Sequence, residues 1–375
     1  MGCTLSRAAG PTIAHDRQCA YGAGGVGEAA VPMLDAVHTD IVNCLAPGPA
    51  PSQWLSCAQD RAVVLYCAST HKVLERWEGH ARGVNRVAAL RGGDEAVVSA
   101  SRDCTLKLWR RGQAEAVATL AGHTLTVSAV CAPSDSVVIS ASRDTSVRSW
   151  DVRTGQQVGA ARISRNLATF LASCEAEPQL VVQGSEDLRV RVWDLRTMAV
   201  ATTFEGLQYF ALCGSMTADG YYVLAGCNGF SGSGCELKLF DRRRAGLVVQ
   251  VRPHQHAVTA CAFLPHAETG GLAGASASKD GSVCVVDFLA AAGGGEAGDS
   301  GVVLYAAQPT VGGQLTSLAA VDALSPPGAD AGAAAAGLVV GTARGSVHSF
   351  ALDASTGVLR ELCYTQPEPE EAADE

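Results

Sequence analysis

The stretch "VSASRDCTLKLW" (98–109) returns 41 residues later as "ISASRDTSVRSW" (139–150), and 43 further on within "VQGSEDLRVRVWD" (182–194). Each copy holds Ser-x-Asp with a Trp six residues after the Asp: Ser101/Asp103/Trp109, Ser142/Asp144/Trp150 and Ser185/Asp187/Trp193. A unit this short cannot bury a core alone and has to stack on copies of itself. Within each copy, apolar and polar residues alternate between turn residues, the pattern of short β-strands. The chain is therefore expected to be an all-β repeat array.

Upstream of the first two copies stand Gly79-His80 and Gly122-His123, each His followed four residues later by Val84 or Val127. A period of about 40–45 residues with Gly-His and Trp-Asp signatures resembles the WD40 family, whose repeats form β-propeller blades. Degenerate copies fill the remainder. Blade one runs from His38 through "SCAQDRAVVLYC", with Tyr66 in the Trp place. Blade four has Ser164 where His would fall. Blade five ends in "ELKLFD" (236–241), with Phe240 for Trp and no matching Asp. Blade six starts at His254 and has Val286 for Trp, and blade seven closes with "VVGTARGSVHSF" (339–350).

The expected architecture is an all-β, seven-bladed WD40 β-propeller over residues 36–365, with low-complexity inserts at 290–300 and 325–337. Residues 1–35 read as a flexible tether, and 366–375 as a solvated acidic tail. Either "GVLRELCYT" (357–365) or residues near Val31–Leu34 could supply the strand that closes the ring, burying edges that otherwise invite aggregation.

Composition narrows the partners. Net charge is −9, which argues against nucleic acid because phosphate binding needs a basic stripe. The 14 cysteines are scattered without a C-x-x-C, so they read as small hydrophobes in a reducing, intracellular compartment, and no metal is expected. Neither a signal peptide nor an apolar run of membrane-spanning length is present in the sequence.

Several motifs invite a chemical reading. His80, Ser101 and Asp103 could be a hydrolase triad, but the set recurs in successive blades, whereas a catalytic constellation is built once. In WD40 blades such residues form a buried hydrogen-bond chain joining Trp, Ser, His and Asp. "GAGGVG" (22–27) satisfies G-x-G-x-x-G, yet it lacks the strand before and the helix after that a dinucleotide site needs. No cofactor, small-molecule substrate or enzymatic activity is therefore expected.

What remains is binding. Arg102, Arg143 and Lys279 precede the motif Asp in three blades; Arg344 is read at the matching site of blade seven, and Glu186 in blade four. Arg165 should join them on a neighbouring loop. "NGFSGSGCE" (228–236), with Asn228 and Phe230, reads as a long loop on the same top face. Such a basic set favours an acidic protein surface. The pairs "WDVR" and "WDLR", carrying Arg153 and Arg196, resemble the box that docks some WD40 proteins onto the adaptor of cullin-RING ubiquitin ligases. A substrate-receptor role is thus the alternative.

The chain opens "MGCTLSR". Gly2 with Ser6 fits the N-myristoylation pattern, and Cys3 is placed for a palmitoyl chain. Two acyl chains give stable membrane anchoring where one gives only marginal binding. Finally, "ARISRNLATFL" (161–171), "SEDLRVRVWD" (185–194) and "NGFSGSGCELKLFD" (228–241) resemble the WD repeat-containing protein 31 family, from which the Ala/Gly inserts and Cys3 depart. That resemblance implies a non-enzymatic protein of the cilium or flagellum. It would act in cargo trafficking, including intraflagellar transport, together with small-GTPase-activating proteins, at the cytoplasmic face of a membrane.

Overall fold

Each repeat becomes a meander of four antiparallel strands because its β-branched runs are separated by short turns rich in Asp, Gly and Thr. The computed structural model describes residues 31–90, 95–264, 272–288, 302–309, 312–324, 335–353 and 358–365. Among them, seven sheets form. The described residues form one compact unit. Strands are lettered a to d from the centre outward. Blade one is Val42–Pro47, Gln53–Ala58, Val63–Cys67 and Lys72–Trp77, and the a strands of the next six begin at Val84, Val127, Ala168, Ala211, Val258 and Leu315.

Each a strand packs on that of the following blade, and blade seven's packs on blade one's, so the sheets close around a central channel. The cores lie between blades. Leu55, Leu65 and Trp77 of blade one, for example, bury against Val84, Val97 and Trp109 of blade two.

A small irregularity recurs in every blade and fastens the ring. The a–b pairing shifts register after the first a-strand residue, between Val42 and Cys44 and between Val84 and Arg86, and likewise in the other five. Such a bulge frees one residue from the ladder and re-aims its side chain. In four blades that residue reaches the next blade. Asn43 Nδ2 donates to Val84 O (2.7 Å), Asn85 Nδ2 to Val127 O (2.8 Å) and Thr169 Oγ1 to Ala211 O (2.6 Å), while Thr316 Oγ1 donates to Val42 O across the seam.

Both candidate closing segments are used. Val358–Thr365 is the d strand of blade seven, and Met33–Leu34 adds a fifth strand parallel to it, Met33 opposite Tyr364 and Leu34 opposite Thr365. The tether therefore ends before Met33 rather than at residue 35. The second insert is shorter than expected as well, because Ala335–Thr342 is already the b strand of blade seven. Gly2, Cys3, "GAGGVG", the insert 290–300 and the acidic tail lie outside the described residues.

Candidate functional site

The Trp of blade two lies one strand away from two serines, and the hairpin register decides which it meets. Val97 pairs with Trp109 and Ser99 with Lys107. Trp109 Nε1 donates to Ser99 Oγ (2.8 Å), Ser99 Oγ contacts His80 Nε2 (2.7 Å), and His80 Nδ1 meets Asp103 Oδ2 (2.8 Å). The carboxylate only accepts, so Nδ1 carries the proton and Nε2 accepts from the serine hydroxyl. Blade three repeats the chain through Trp150, Ser140, His123 and Asp144.

Ser101 and Ser142 are thus not members of these chains, contrary to the sequence reading. Each lies two residues further along the same strand face. Ser101 Oγ donates to Arg82 O (3.0 Å) and accepts the Asp103 N–H (3.1 Å), tying the turn to the neighbouring loop; Ser142 does the same with Leu125 O and Asp144 N–H. Their presence in all three clear repeats, where Ser99's counterpart in blade four is Gln183, made them the more visible candidates.

Burial is the largest influence on Asp103 and acts to raise its pKa. Hydrogen bonds from His80 and Thr105 outweigh it and hold the carboxyl well below the usual range. Asp144 is held low in the same way, by Ser146 and His123 against burial. Burial pushes the pKa of His123 down in spite of the Asp144 bond. Ser99 and Ser140 are fully buried and already bonded on both sides. No substrate carbonyl can approach them, so these chains are fastenings of the fold.

Blade four replaces the chain. Trp193 Nε1 donates to Gln183 Oε1 (2.6 Å), Gln183 Nε2 donates to Asn166 Oδ1 (2.7 Å), and buried Arg191 joins Asn166 (3.3 Å) to Asp187. Asn166, rather than Ser164, fills the histidine place, since the longer Gln183 needs a shorter partner. Among the described residues, Ser185 stands apart from this network and accepts the Asp187 N–H (3.4 Å).

At the end where the a strands begin, the channel has a mouth of about 710 Å³ that includes Arg86, Arg102, Arg143 and Glu186 in its lining. The rim position is recognisable by a backbone bond to the residue before each a strand. Arg102 N reaches Gly83 O, Arg143 N Thr126 O, Glu186 N Leu167 O, Asn228 N Phe210 O and Lys279 N Ala257 O. In blade seven the residue making that bond is Ala343. Arg344 instead takes the place of the motif Asp, its N–H bonded to Thr342 Oγ1 (3.2 Å). The rim is therefore a basic sector at blades two and three, with Lys279 in blade six, rather than a ring that includes Arg344. Arg165 is exposed on its loop in the left-handed conformation (φ 62°) and is not part of the mouth lining.

Arg86 escaped the sequence reading because it lies inside a strand. It is the one residue shared by the linings of the mouth and of the lower channel, a cavity of about 670 Å³. Its Nη1 donates to Asn43 O (3.0 Å), while Arg102 Nε donates to Asn85 Oδ1 (3.2 Å) and Arg143 pairs loosely with Glu186 (3.5 Å). Among the described residues no carboxylate is paired with Arg86 or Arg102.

The blade-five loop forms a two-residue turn. Phe230 N bonds Ser233 O (2.8 Å) and Ser233 N bonds Phe230 O (3.0 Å), with Ser231 (φ 48°) and Gly232 (φ 79°) at its tip. Both central residues at positive φ mark a type I′ turn. Gly232 N bonds Gln255 O (2.8 Å) of the adjacent loop, and Phe230, 73% exposed, meets His256 edge-on at 6.1 Å. Asn228 is half-buried at the rim.

Arg153 and Arg196 lie exposed on c–d turns, at the other end of the blades from the mouth. Arg196 is bound to Asp194 through Nη2 (2.7 Å) and Nε (3.0 Å), and Arg243 repeats this with Asp241 in blade five. The Asp-x-Arg part of the box is thus a local turn arrangement here.

The family model described as "WD domain, G-beta repeat" matches residues 71–110, 114–151 and 246–287. The Ribosome biogenesis protein WDR12 homolog of Arabidopsis thaliana is 35% identical over 103 residues, 21% of this chain and 24% of that protein. Nuclear distribution protein nudF of Aspergillus flavus is 31% identical over 121 residues, 32% of this chain and 27% of its own length. Pre-mRNA-splicing factor cwf17 of Schizosaccharomyces pombe is 27% identical over 130 residues, 32% and 37% of the two chains. The chain thus spans between 24 and 37% of the length of these curated relatives, and they carry names other than WD repeat-containing protein 31. Such propellers are in general non-catalytic and bind proteins. WD40 repeats are present in this chain, and they fold as a seven-bladed β-propeller.

Proposed function

We propose that this protein is a non-enzymatic scaffold that captures an acidic protein surface at the channel mouth while N-terminal acylation holds it at a membrane. The observation that carries the first half is the convergence of Arg86, Arg102 and Arg143 on one concave mouth in a chain of net charge −9. Local positive potential on an acidic protein selects an acidic partner and guides its approach. Phe230, held out by a tight turn, supplies the kind of rigid aromatic anchor on which binding energy concentrates. Charge reversal at Arg102, Arg143 and Lys279 together is expected to abolish partner capture in pull-downs without unfolding the propeller. Unchanged capture overturns the mouth as the docking site.

The second half rests on "MGCTLSR": myristate on Gly2 and palmitate on Cys3. An alkyne-tagged myristate should label the wild type and not Gly2→Ala, and membrane pelleting should vanish with the label. Placement in the cilium or flagellum, at the cytoplasmic face of the membrane, rests on the resemblance to the WD repeat-containing protein 31 family. So does a role in intraflagellar cargo trafficking with small-GTPase-activating proteins. Fractionation in a ciliated cell tests it.

A second reading, substrate receptor of a cullin-RING ligase, draws on the exposure of Arg153 and Arg196 at one end of the blades. Co-purification of the ligase adaptor with wild type, lost on Arg153→Ala with Arg196→Ala, would favour it. A wild-type pull-down without adaptor ends it.

A further inference from the structure

We infer that the channel mouth is a receptor for a phosphorylated serine or threonine side chain of a partner protein, inserted from the rim with Arg86 at the floor. The inference rests on the mouth being the docking site and names what docks there.

The charge of the lining is the first argument. Three guanidiniums, of Arg86, Arg102 and Arg143, face one carboxylate, that of Glu186, a surplus of two positive charges. A carboxylate side chain brings one negative charge and two oxygens, which a single guanidinium satisfies edge-on. A phosphomonoester brings a charge of about −1.5 to −2 at neutral pH and three acceptor oxygens. The surplus matches the phosphate, not the carboxylate.

Depth is the second. Arg86 lines both the mouth and the lower channel, two residues into its a strand and so below the rim loops that carry Arg102 and Arg143. A peptide lying on the rim reaches it only through a side chain projecting down the channel axis. Phosphoserine and phosphothreonine carry their charge on such a projection.

Availability is the third. Arg86 and Arg102 are positioned by neutral partners, Asn43 O and Asn85 Oδ1. Each is held in place with no carboxylate paired to it among the described residues, the arrangement that preorganises an anion site. Asn85 is itself fixed, its amide nitrogen bonded to Val127 O at 2.8 Å. Thr126 and Ser128 add hydroxyls to the same lining.

The test uses the full chain and three immobilised peptide libraries with a degenerate sequence around a fixed central phosphoserine, serine or glutamate. The phosphoserine library is expected to retain the protein about tenfold better than either other. Inorganic phosphate should compete, and Arg86→Gln and Arg102→Gln should each cut retention about tenfold. Arg196→Gln, at the opposite end, should leave retention unchanged, and thermal melts of all variants should show that they fold. Equal retention of the phosphoserine and glutamate libraries, both lost on charge reversal of the rim, overturns the phosphate while leaving acidic docking intact. Retention insensitive to every mouth substitution overturns both. Capture by phosphoinositide-containing vesicles through the same arginines, with no phosphoserine preference, overturns the peptide as the source of the phosphate.

Discussion

The indole N–H of Trp109 is bonded to Ser99 Oγ at 2.8 Å, and Ser101, two residues further along the same strand face, is bonded instead to the loop at Arg82. The two serines are equally buried and differ only in what they hold together. Ser99→Ala strands the indole N–H and the His80 Nε2 inside the protein, at a cost of about 1–3 kcal/mol for each unsatisfied group. Ser101→Ala loosens one turn and should cost about 1 kcal/mol. Urea unfolding of the two variants checks the order, and an equal loss contradicts the assignment.

Acid should destabilise the propeller in two steps. Burial, the first influence on His123, lowers its pKa below the ordinary value, so the unfolded chain takes up that proton first. Its contribution is complete above about pH 6.5 and is lost as pH falls below that. Asp103, Asp144 and Asp280 are also held low: burial pushes each up, but hydrogen bonds from His80 to Asp103, from Ser146 to Asp144 and from Ser282 to Asp280, with others and with the nearby His254, outweigh it. Their contributions are complete above about pH 4 and are lost as pH falls toward the native values. Urea midpoints measured from pH 8 to pH 3 should show both steps, and His123→Gln should remove the upper one.

The ring depends on side chains freed by the bulges. Asn85 fastens blade two to blade three through Val127 O and also holds Arg102. Asn85→Ala is expected to lower stability by about 1–2 kcal/mol and to weaken binding at the mouth. Asn85→Asp should weaken the fastening too, because a carboxylate cannot donate to Val127 O. Denaturant melts and partner titrations read the two effects separately.

Phe230 and Gly234 occupy one loop and should fail differently. Phe230 is 73% exposed, so Phe230→Ala should leave the melting temperature unchanged while costing about 2 kcal/mol in partner affinity if it is an anchor. A Cβ on Gly234 would come within 2.0 Å of the Tyr209 ring. Gly234→Ala must displace the loop, lowering both stability and affinity. Calorimetric melts and binding isotherms on the two variants separate the roles.

Removing residues 1–35 deletes the parallel pairing of Met33 and Leu34 with Tyr364 and Thr365, together with the bond from Tyr364 N to Pro32 O (3.1 Å). A loss of about 1–2 kcal/mol is expected from the missing backbone bonds. The uncovered strand edge should also raise aggregation. Sedimentation and thermal melting of the truncated chain check both.

The repeat by itself determined the seven blades, the all-β fold and the ends at which the loops gather. Those features are local: strand alternation, turn residues and a period of about 40–45 residues recur within each unit. Tyr66 and Phe240 were legible as Trp substitutes for the same reason. Only the tertiary structure decided which side chains meet. Ser99 and Ser101 share a strand face by the period of two, and the hairpin register alone chose Ser99. Arg344 looked like a rim residue until the blade-seven backbone put Ala343 there. Arg86, an interior strand residue, lines the mouth and the lower channel and is held by Asn43, 43 residues away. Asn166 entered its network because Gln183 is longer than serine. Contacts of this kind depend on how blades close against one another, and a repeat of one blade's length carries no record of the distance between side chains in two of them.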